Sequence, residues 1–402
     1  VVHDARGDCP RLARDASLII NNTREGGAQY GGKSMRGIIG AALLATAALC
    51  MIEPAHSEGD RAKAAAERLQ QYRDLPKFSA AGPAFDARSC MKGKSILGIP
   101  VSSANPFTKN IYIAMTNAAK KVGFTFREWE NQGQPSQWVQ GMDYATNNKF
   151  NLIDLLGGTD PKVLAPQVQK ATSAGIKVIA SHYSGFEQPL PDYISGAVPI
   201  DYLKSGQLLA DWAIWKTDAK VNALVIVSTE VYSTESMING IKADFDQNCP
   251  GCKYKIVNAP VPEWSTKIQP TVQSALQADP SINYIIPIYD SMSQFVVPAI
   301  TITGKKDSVK IATFNGTPFV LGFVQQGSVE MDIGENLDWI GHAIMDAEMR
   351  ILCGLEPVKD PKIPFYIFDS SNAANAGKPP QLSVGYGDAY LAGYARQWKL
   401  EK

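Results

Sequence analysis

The chain lacks an excess of charge of either sign. Lys plus Arg and Asp plus Glu number 39 each, and only 19% of the 402 residues are charged. A nucleic-acid-binding surface needs a basic patch to neutralise phosphates, so nucleic acid is set aside as a partner. Histidine is scarce, with four in all. No G-x-S-x-G elbow, H-E-x-x-H helix or acidic metal cluster occurs, so the hydrolase and metalloenzyme readings have no motif. No cofactor and no metal is expected, and the chain is read as a non-enzyme. Long apolar runs are also missing: the stretch 37–49 is too short for a comfortable membrane span. With 45% hydrophobic residues, the rest reads as an ordinary globular protein of two-domain length.

The stretch 37–49 has a different meaning. Met35-Arg36, the apolar run and Ala55-His56-Ser57 have the order of a secretory signal peptide: basic segment, apolar segment, small-x-small cut. The expectation is a signal over 35–57, cleavage before Glu58 and a periplasmic product. Residues 1–34 read as upstream sequence. Cys50 raises a lipoprotein alternative, but bulky Leu49 precedes it where a small residue is needed. Residues 27–34, G-A-Q-Y-G-G-K-S, match the phosphate-loop pattern formally. A working loop of that kind joins a core strand to a core helix, and here the signal segment follows, so no nucleotide is expected.

Four cysteines then remain: Cys90, Cys249, Cys252 and Cys353. An oxidising compartment makes disulfides the default. Cys249-Pro250-Gly251-Cys252 has redox-motif spacing, yet it follows a helical pattern (Met237, Ile241, Phe245) and precedes a strand-like run. It sits at a helix's end, where no dipole lowers a thiol pKa. A structural clip across a turn is preferred to redox chemistry or a four-cysteine zinc site. Residues 58–93 read as a peripheral helix and a Pro/Gly/Ala linker with no chemistry.

Beyond Lys94 the pattern alternates. Strand-like runs fall at 95–101, 123–129, 151–156, 176–181, 221–227, 253–260, 282–288, 308–314 and 329–333. Helix-like patterns fall at 107–121, 136–148, 162–174, 202–216, 233–247, 265–278, 291–303 and 337–353. Such alternation means βαβ units and parallel sheets, closing into one barrel or splitting into two lobes. The loop after the first strand carries Asn105-Pro106-Phe107. As local structure this is a turn Asn with Pro at the first helical position. As a site it offers an amide and a flat apolar face where open α/β sheets place ligand contacts.

From Lys94 to about Phe368 the chain resembles the periplasmic sugar-binding proteins of the ribose/galactose/xylose type that serve ABC importers. The resemblance rests on Asn105-Pro106-Phe107, Asn239-Gly240-Ile241, Asp290 within Ile288-Tyr289-Asp290-Ser291-Met292, and Phe314-Asn315-Gly316-Thr317-Pro318, which is similar to the family's F-D-G-T-P. It implies an α/β fold of two Rossmann-like lobes joined by three crossovers, the type I periplasmic-binding fold, closing like a hinge. The implied crossings lie near 198–200, 332–335 and 362–365. The N-terminal lobe would hold 94–199 plus 335–362, and the C-terminal lobe 200–334 plus 363–402. The helix 337–353 would return to the first lobe, which makes Cys90–Cys353 a second disulfide.

The resemblance also implies ligand-contacting positions. Asn105 and Phe107 stand at the first loop. His182 and Tyr183 stand where sugar binders carry an Asp-Arg pair, Met237 where they carry Arg, and Trp264 where they carry Phe. Tyr289 replaces Asn, Asn315 replaces Asp, and Glu335 replaces Gln. Without Lys or Arg in this set, a carboxylate or phosphate ligand would lack a counter-charge. The implied function is capture of a small neutral ligand, a sugar, sugar derivative or polyol, by a monomer that delivers it to an ABC transporter permease, with a chemoreceptor as the further candidate partner. A small aromatic or cationic compound is the alternative ligand. From another class, His182 and Glu335 could form an enzyme's acid/base pair.

Overall fold

The computed structural model describes residues 57–400 other than 158. The expected signal segment, Cys50 and the formal phosphate loop lie outside the described residues. Helix α1 (Glu58–Gln70) starts from Ser57, which caps it in a reciprocal box: Ser57 Oγ accepts from Asp60 N at 3.2 Å. The expected cut between Ser57 and Glu58 would remove this cap, a contribution of about 1 kcal/mol. After α2 (Ala87–Met91), a first lobe is built from β1 (Ser95–Pro100), α3 (Pro106–Val122), β2 (Thr125–Glu128), α4 (Pro135–Asn147), β3 (Leu152–Leu156), α5 (Ala165–Ser173), β4 (Lys177–Ser181) and β5 (Gly196–Val198).

The chain then builds a second lobe. Its elements are α6 (Tyr202–Lys216), β6 (Asn222–Val227), α7 (Ser233–Asn248), β7 (Lys253–Asn258), α8 (Trp264–Ala278), β8 (Tyr284–Pro287), α9 (Ser293–Ile302), β9 (Lys310–Asn315), α10 (Pro318–Gln325) and β10 (Met331–Glu335). Helix α11 (Leu337–Leu352) returns to the first lobe, β11 (Phe365–Asp369) rejoins the second sheet, and α12 (Ala389–Gln397) closes the chain. The first sheet runs β2-β1-β3-β4-β5 and is wholly parallel. The second runs β11-β10-β9-β8-β6-β7, with only β10 and β11 antiparallel. The architecture is therefore α/β with doubly wound sheets rather than a closed barrel.

Burial on both faces explains the near-continuous apolar strands. In β3, Leu152 and Leu156 pack toward α3 and α11, while Ile153 and Leu155 pack toward α4 and α5. In the second lobe, α6 and α7 cross at backbone contact. A Cβ on Gly206 would lie 2.2 Å from the Met237 carbonyl, and one on Gly240 2.1 Å from the Leu203 carbonyl. Only glycine fits at either position, so this crossing is fixed by sequence.

Two parts of the chain depart from expectation. The tail 363–402 was expected in the second lobe, yet Tyr390, Tyr394 and Trp398 pack with Tyr112, Trp339 and Ile340 in the first lobe's core. Three large aromatics on one side of α12 need a deep apolar surface, and α11 supplies it. The N-terminal segment is also not merely peripheral. Ala65 and Leu69 of α1 join the second lobe's core, and Arg68 Nε meets Asp211 Oδ1 at 2.9 Å. Tyr72 O accepts from Ile367 N at 2.8 Å. Further on, Phe78 lies 5.1 Å from Tyr394 and 6.0 Å from Trp339 in the first lobe. Cys90 and Cys353 have Cα atoms 5.7 Å apart, and Cys249 and Cys252 5.3 Å apart, both pairs at bonding distance.

Several buried carboxyls set the response to pH. Burial pushes Asp154 up to about 7 against the opposing Ser181 hydroxyl. It pushes Asp244 to about 7 with help from neighbouring Asp211, and Asp290 to about 7 against its Thr317 and Ser291 hydrogen bonds. Raised folded-state values mean that these groups stabilise fully below the ordinary carboxylate range and lose that contribution as pH rises through about 7. His342, lowered by burial, acts oppositely, as do Asp279 and Asp369, whose lowered values bring their loss below the ordinary carboxylate range rather than between pH 5.5 and 8. Thermal unfolding followed by circular dichroism should therefore give a higher midpoint at pH 5.5 than at pH 8. An equal or lower midpoint at pH 5.5 would refute this.

Candidate functional site: the cleft between the sheets

In each sheet the strand order reverses beside the first strand, between β1 and β3 and between β6 and β8. Crevices form at the carboxyl ends of strands at such points. The loops there face one another across a cavity lined from both lobes. From the first lobe come Asn105, Phe107 and His182, and from the second Trp264, Tyr289 and Asn315. Among the described residues, no Lys, Arg, Asp or Glu lines this cavity.

Asn105 caps a helix and lines the cavity. Its Oδ1 caps α3, accepting from Phe107 N at 2.9 Å, with Pro106 in the helix's first turn. Its Nδ2 remains for the cavity. Phe107, at the helix start, lies tilted 4.7 Å from the His182 ring and forms one aromatic wall. Trp264 and Tyr289 form the other, their ring centroids 6.4 Å apart and planes 27° from parallel. The polar tips of this second wall are tied back. Trp264 Nε1 donates to Ser228 Oγ at 2.9 Å and to Ala259 O at 3.0 Å. Tyr289 OH lies 2.8 Å from Thr234 Oγ1 and 3.1 Å from Ser233 Oγ, and burial pushes its pKa to about 12.

His182 and Asn315 stand at strand ends with φ of 49° and 145°. Such conformations cost about 1–3 kcal/mol for a residue with a Cβ and persist where neighbours over-determine them. The neighbours are identifiable. His182 Nε2 meets Glu335 Oε2 at 2.7 Å, and its Nδ1 meets the Tyr202 hydroxyl at 2.5 Å. Asn315 Nδ2 donates to the same Glu335 oxygen at 3.3 Å. Glu335, fully buried, thus stands behind the cavity wall and fixes two residues of it. Both ring nitrogens of His182 are hydrogen-bonded within the protein.

Besides Glu335, which is not in the lining, two further expected contacts lie elsewhere. Tyr183 turns from the cavity, stacks 4.7 Å from Tyr232 and donates to Asp160 Oδ1 at 2.8 Å. It belongs to the rim, where Gln188 Nε2 donates to Tyr232 O and Tyr232 OH donates to Pro189 O. Met237 is wholly buried in the core between α6 and α7, because the Gly206–Gly240 crossing takes that turn of α7 inward. Sequence reasoning missed Gly157, Tyr202, Val231, Ser233 and Ser291, which also line the cavity. Three of these, Gly157, Val231 and Ser233, follow the carboxyl ends of β3 and β6, and that position was the available signal.

A family model described as a periplasmic binding protein domain matches residues 97–356. No curated protein matches the chain. Among solved structures, a Caulobacter myo-inositol binding protein bound to myo-inositol is similar at 17% identity and a TM-score of 0.61, over 72% of this chain and 97% of that one. A carbohydrate transporter from Acidothermus cellulolyticus in complex with myo-inositol gives 21% identity and a TM-score of 0.60, over 71% and 97%. An ABC transporter solute binding protein from Agrobacterium vitis bound with alpha-D-tagatopyranose gives 17% and 0.63, over 70% and 96%. At these identities the likeness is one of fold.

Proposed function

We propose that this chain, which belongs to the periplasmic binding protein family, captures a small neutral ligand of the sugar, sugar-derivative or polyol class between its lobes and delivers it to an ABC importer. One observation carries the reading. Asn105 and Phe107 on one lobe and Trp264, Tyr289 and Asn315 on the other face the same cavity, whose lining among the described residues holds no Lys, Arg, Asp or Glu. An anion would lack a counter-charge there, and a ligand touching both lobes favours their closure. The structural relatives with myo-inositol and alpha-D-tagatopyranose bound support that ligand class. A thermal-shift screen of the purified protein against neutral, cationic and anionic solutes tests it, because a bound ligand raises the unfolding midpoint by mass action. A neutral compound should shift the midpoint. A shift confined to charged compounds would overturn the proposal.

Delivery to an importer requires export, for which the segment 35–57 is the proposed signal. In an oxidising compartment Cys90–Cys353 and Cys249–Cys252 are then disulfides. Thiol titration of the denatured, unreduced protein from the periplasmic fraction should find almost no free thiol. Four free thiols per chain, or a mass that includes residues 35–57, would contradict the export reading.

A further inference from the structure

Tyr232 belongs to the second lobe, at the start of α7, yet its side chain is held by the first lobe. Its ring stacks on Tyr183, with centroids 4.7 Å apart and planes 15° from parallel. The Lys162 ammonium lies 5.2 Å from the ring centroid, within reach of a cation–π attraction. The Tyr232 hydroxyl donates to Pro189 O at 2.9 Å, and its carbonyl accepts from Gln188 Nε2 at 2.8 Å. One turn further along α7, Ser236 Oγ donates to Glu187. Lys162 follows β3 and residues 183–189 follow β4, so every one of these partners comes from the opposite lobe.

The first lobe holds its side of the contact ready. Tyr183 is wholly buried, and its hydroxyl is fixed on Asp160 Oδ1 at 2.8 Å. Gln188 Oε1 accepts from Gly185 N at 2.8 Å, which leaves its Nε2 for the Tyr232 carbonyl. The contact is separate from the cavity but tied to it through the chain. Neither Tyr183 nor Tyr232 is in the lining, whereas their neighbours His182, Val231 and Ser233 are. A ligand that draws His182 and Ser233 together therefore brings the two tyrosines together as well. None of these contacts passes through the ligand, so they favour the closed arrangement whatever the ligand's own chemistry.

We propose that Tyr232 is a latch, a positioning residue that holds the lobes closed over the cleft by docking on Tyr183, Lys162 and the 187–189 loop without touching the ligand. This rests on the reading of the two lobes as a ligand-capturing pair and names what holds them shut. A group that stabilises only the closed state shifts the balance of open and closed protein by its own contribution. Losing one aromatic stack and one hydrogen bond should move the ligand-free protein toward the open state about tenfold.

Small-angle scattering of the ligand-free protein reads that shift as a larger radius of gyration. Tyr232→Ala should expand the protein while its far-ultraviolet circular dichroism stays that of the parent. Tyr232→Phe, which keeps the ring and loses only the bond to Pro189, should stay closer to the parent. The double variant Lys162→Ala with Gln188→Ala removes partners from the other lobe and should expand the protein in the same direction. A radius for Tyr232→Ala equal to the parent's overturns the proposal, as does an expansion that comes only with loss of helical signal, or a double variant as compact as the parent. A neutral solute that still shifts the parent's unfolding midpoint would then keep the capture reading while the latch falls.

Discussion

Asp346→Ala should lower the free energy of unfolding by about 3–5 kcal/mol, the usual cost of removing one partner from a buried ion pair. Asp346 and Arg350 are one turn apart on α11 and almost wholly buried, with Nε and Oδ2 2.7 Å apart. The same carboxylate accepts from Trp398 Nε1 at 2.8 Å and from Gln397 Nε2 at 3.3 Å. Arg350 continues the network, donating to Pro83 O at 2.9 Å and lying 4.9 Å from the Phe85 ring. One carboxylate thus joins α11, the end of α12 and the N-terminal segment. Alanine strands a guanidinium and an indole N–H out of reach of water. Urea denaturation should show the loss, with Asp346→Asn milder because its carbonyl oxygen still accepts. A loss below about 1 kcal/mol for the alanine variant would show that water or a shifted side chain replaces the network.

Asn315→Gly should weaken ligand binding about tenfold to a hundredfold, as removal of a buried hydrogen-bonding partner does. It should do so without harming the fold, because φ of 145° strains asparagine and suits glycine. Affinity and stability then move apart, which a merely structural role for Asn315 cannot produce. Trp264→Ala is less clean. Trp264 is 7% exposed and packs with Ile268 and Met292, so its loss opens the second lobe's core as well as the cleft. Calorimetry and thermal unfolding on the same Asn315→Gly sample check the separation. Unchanged affinity would remove Asn315 from the site.

The central strands and the helices between them were legible because both faces are buried and the intervening stripes are long. What escaped was short or lacked a period. Strand β5 is three residues before Pro199, and β11 follows Pro364 in a segment that reads as a crossover. Helix α10, P-F-V-L-G-F-V-Q, is apolar nearly all round and shows no stripe. For the site, position along the chain was informative: residues at or just past strand ends reach the cleft, as Asn105, His182, Tyr289 and Asn315 do. Orientation was not. Whether Tyr183 turns to the rim, or Trp264 ties its N–H to Ser228, depends on contacts between residues far apart in sequence. The inward turn of Met237 follows from two glycines on different helices, which no local pattern joins.

The most direct test of capture between the lobes is a crystal structure of the protein with the tightest-binding compound from the neutral-solute screen. The compound should lie between Phe107 and the Trp264–Tyr289 wall, with its polar edge within hydrogen-bonding distance of Asn105 and Asn315. A compound bound outside this cleft, with the cavity between the sheets still open to solvent, would contradict it.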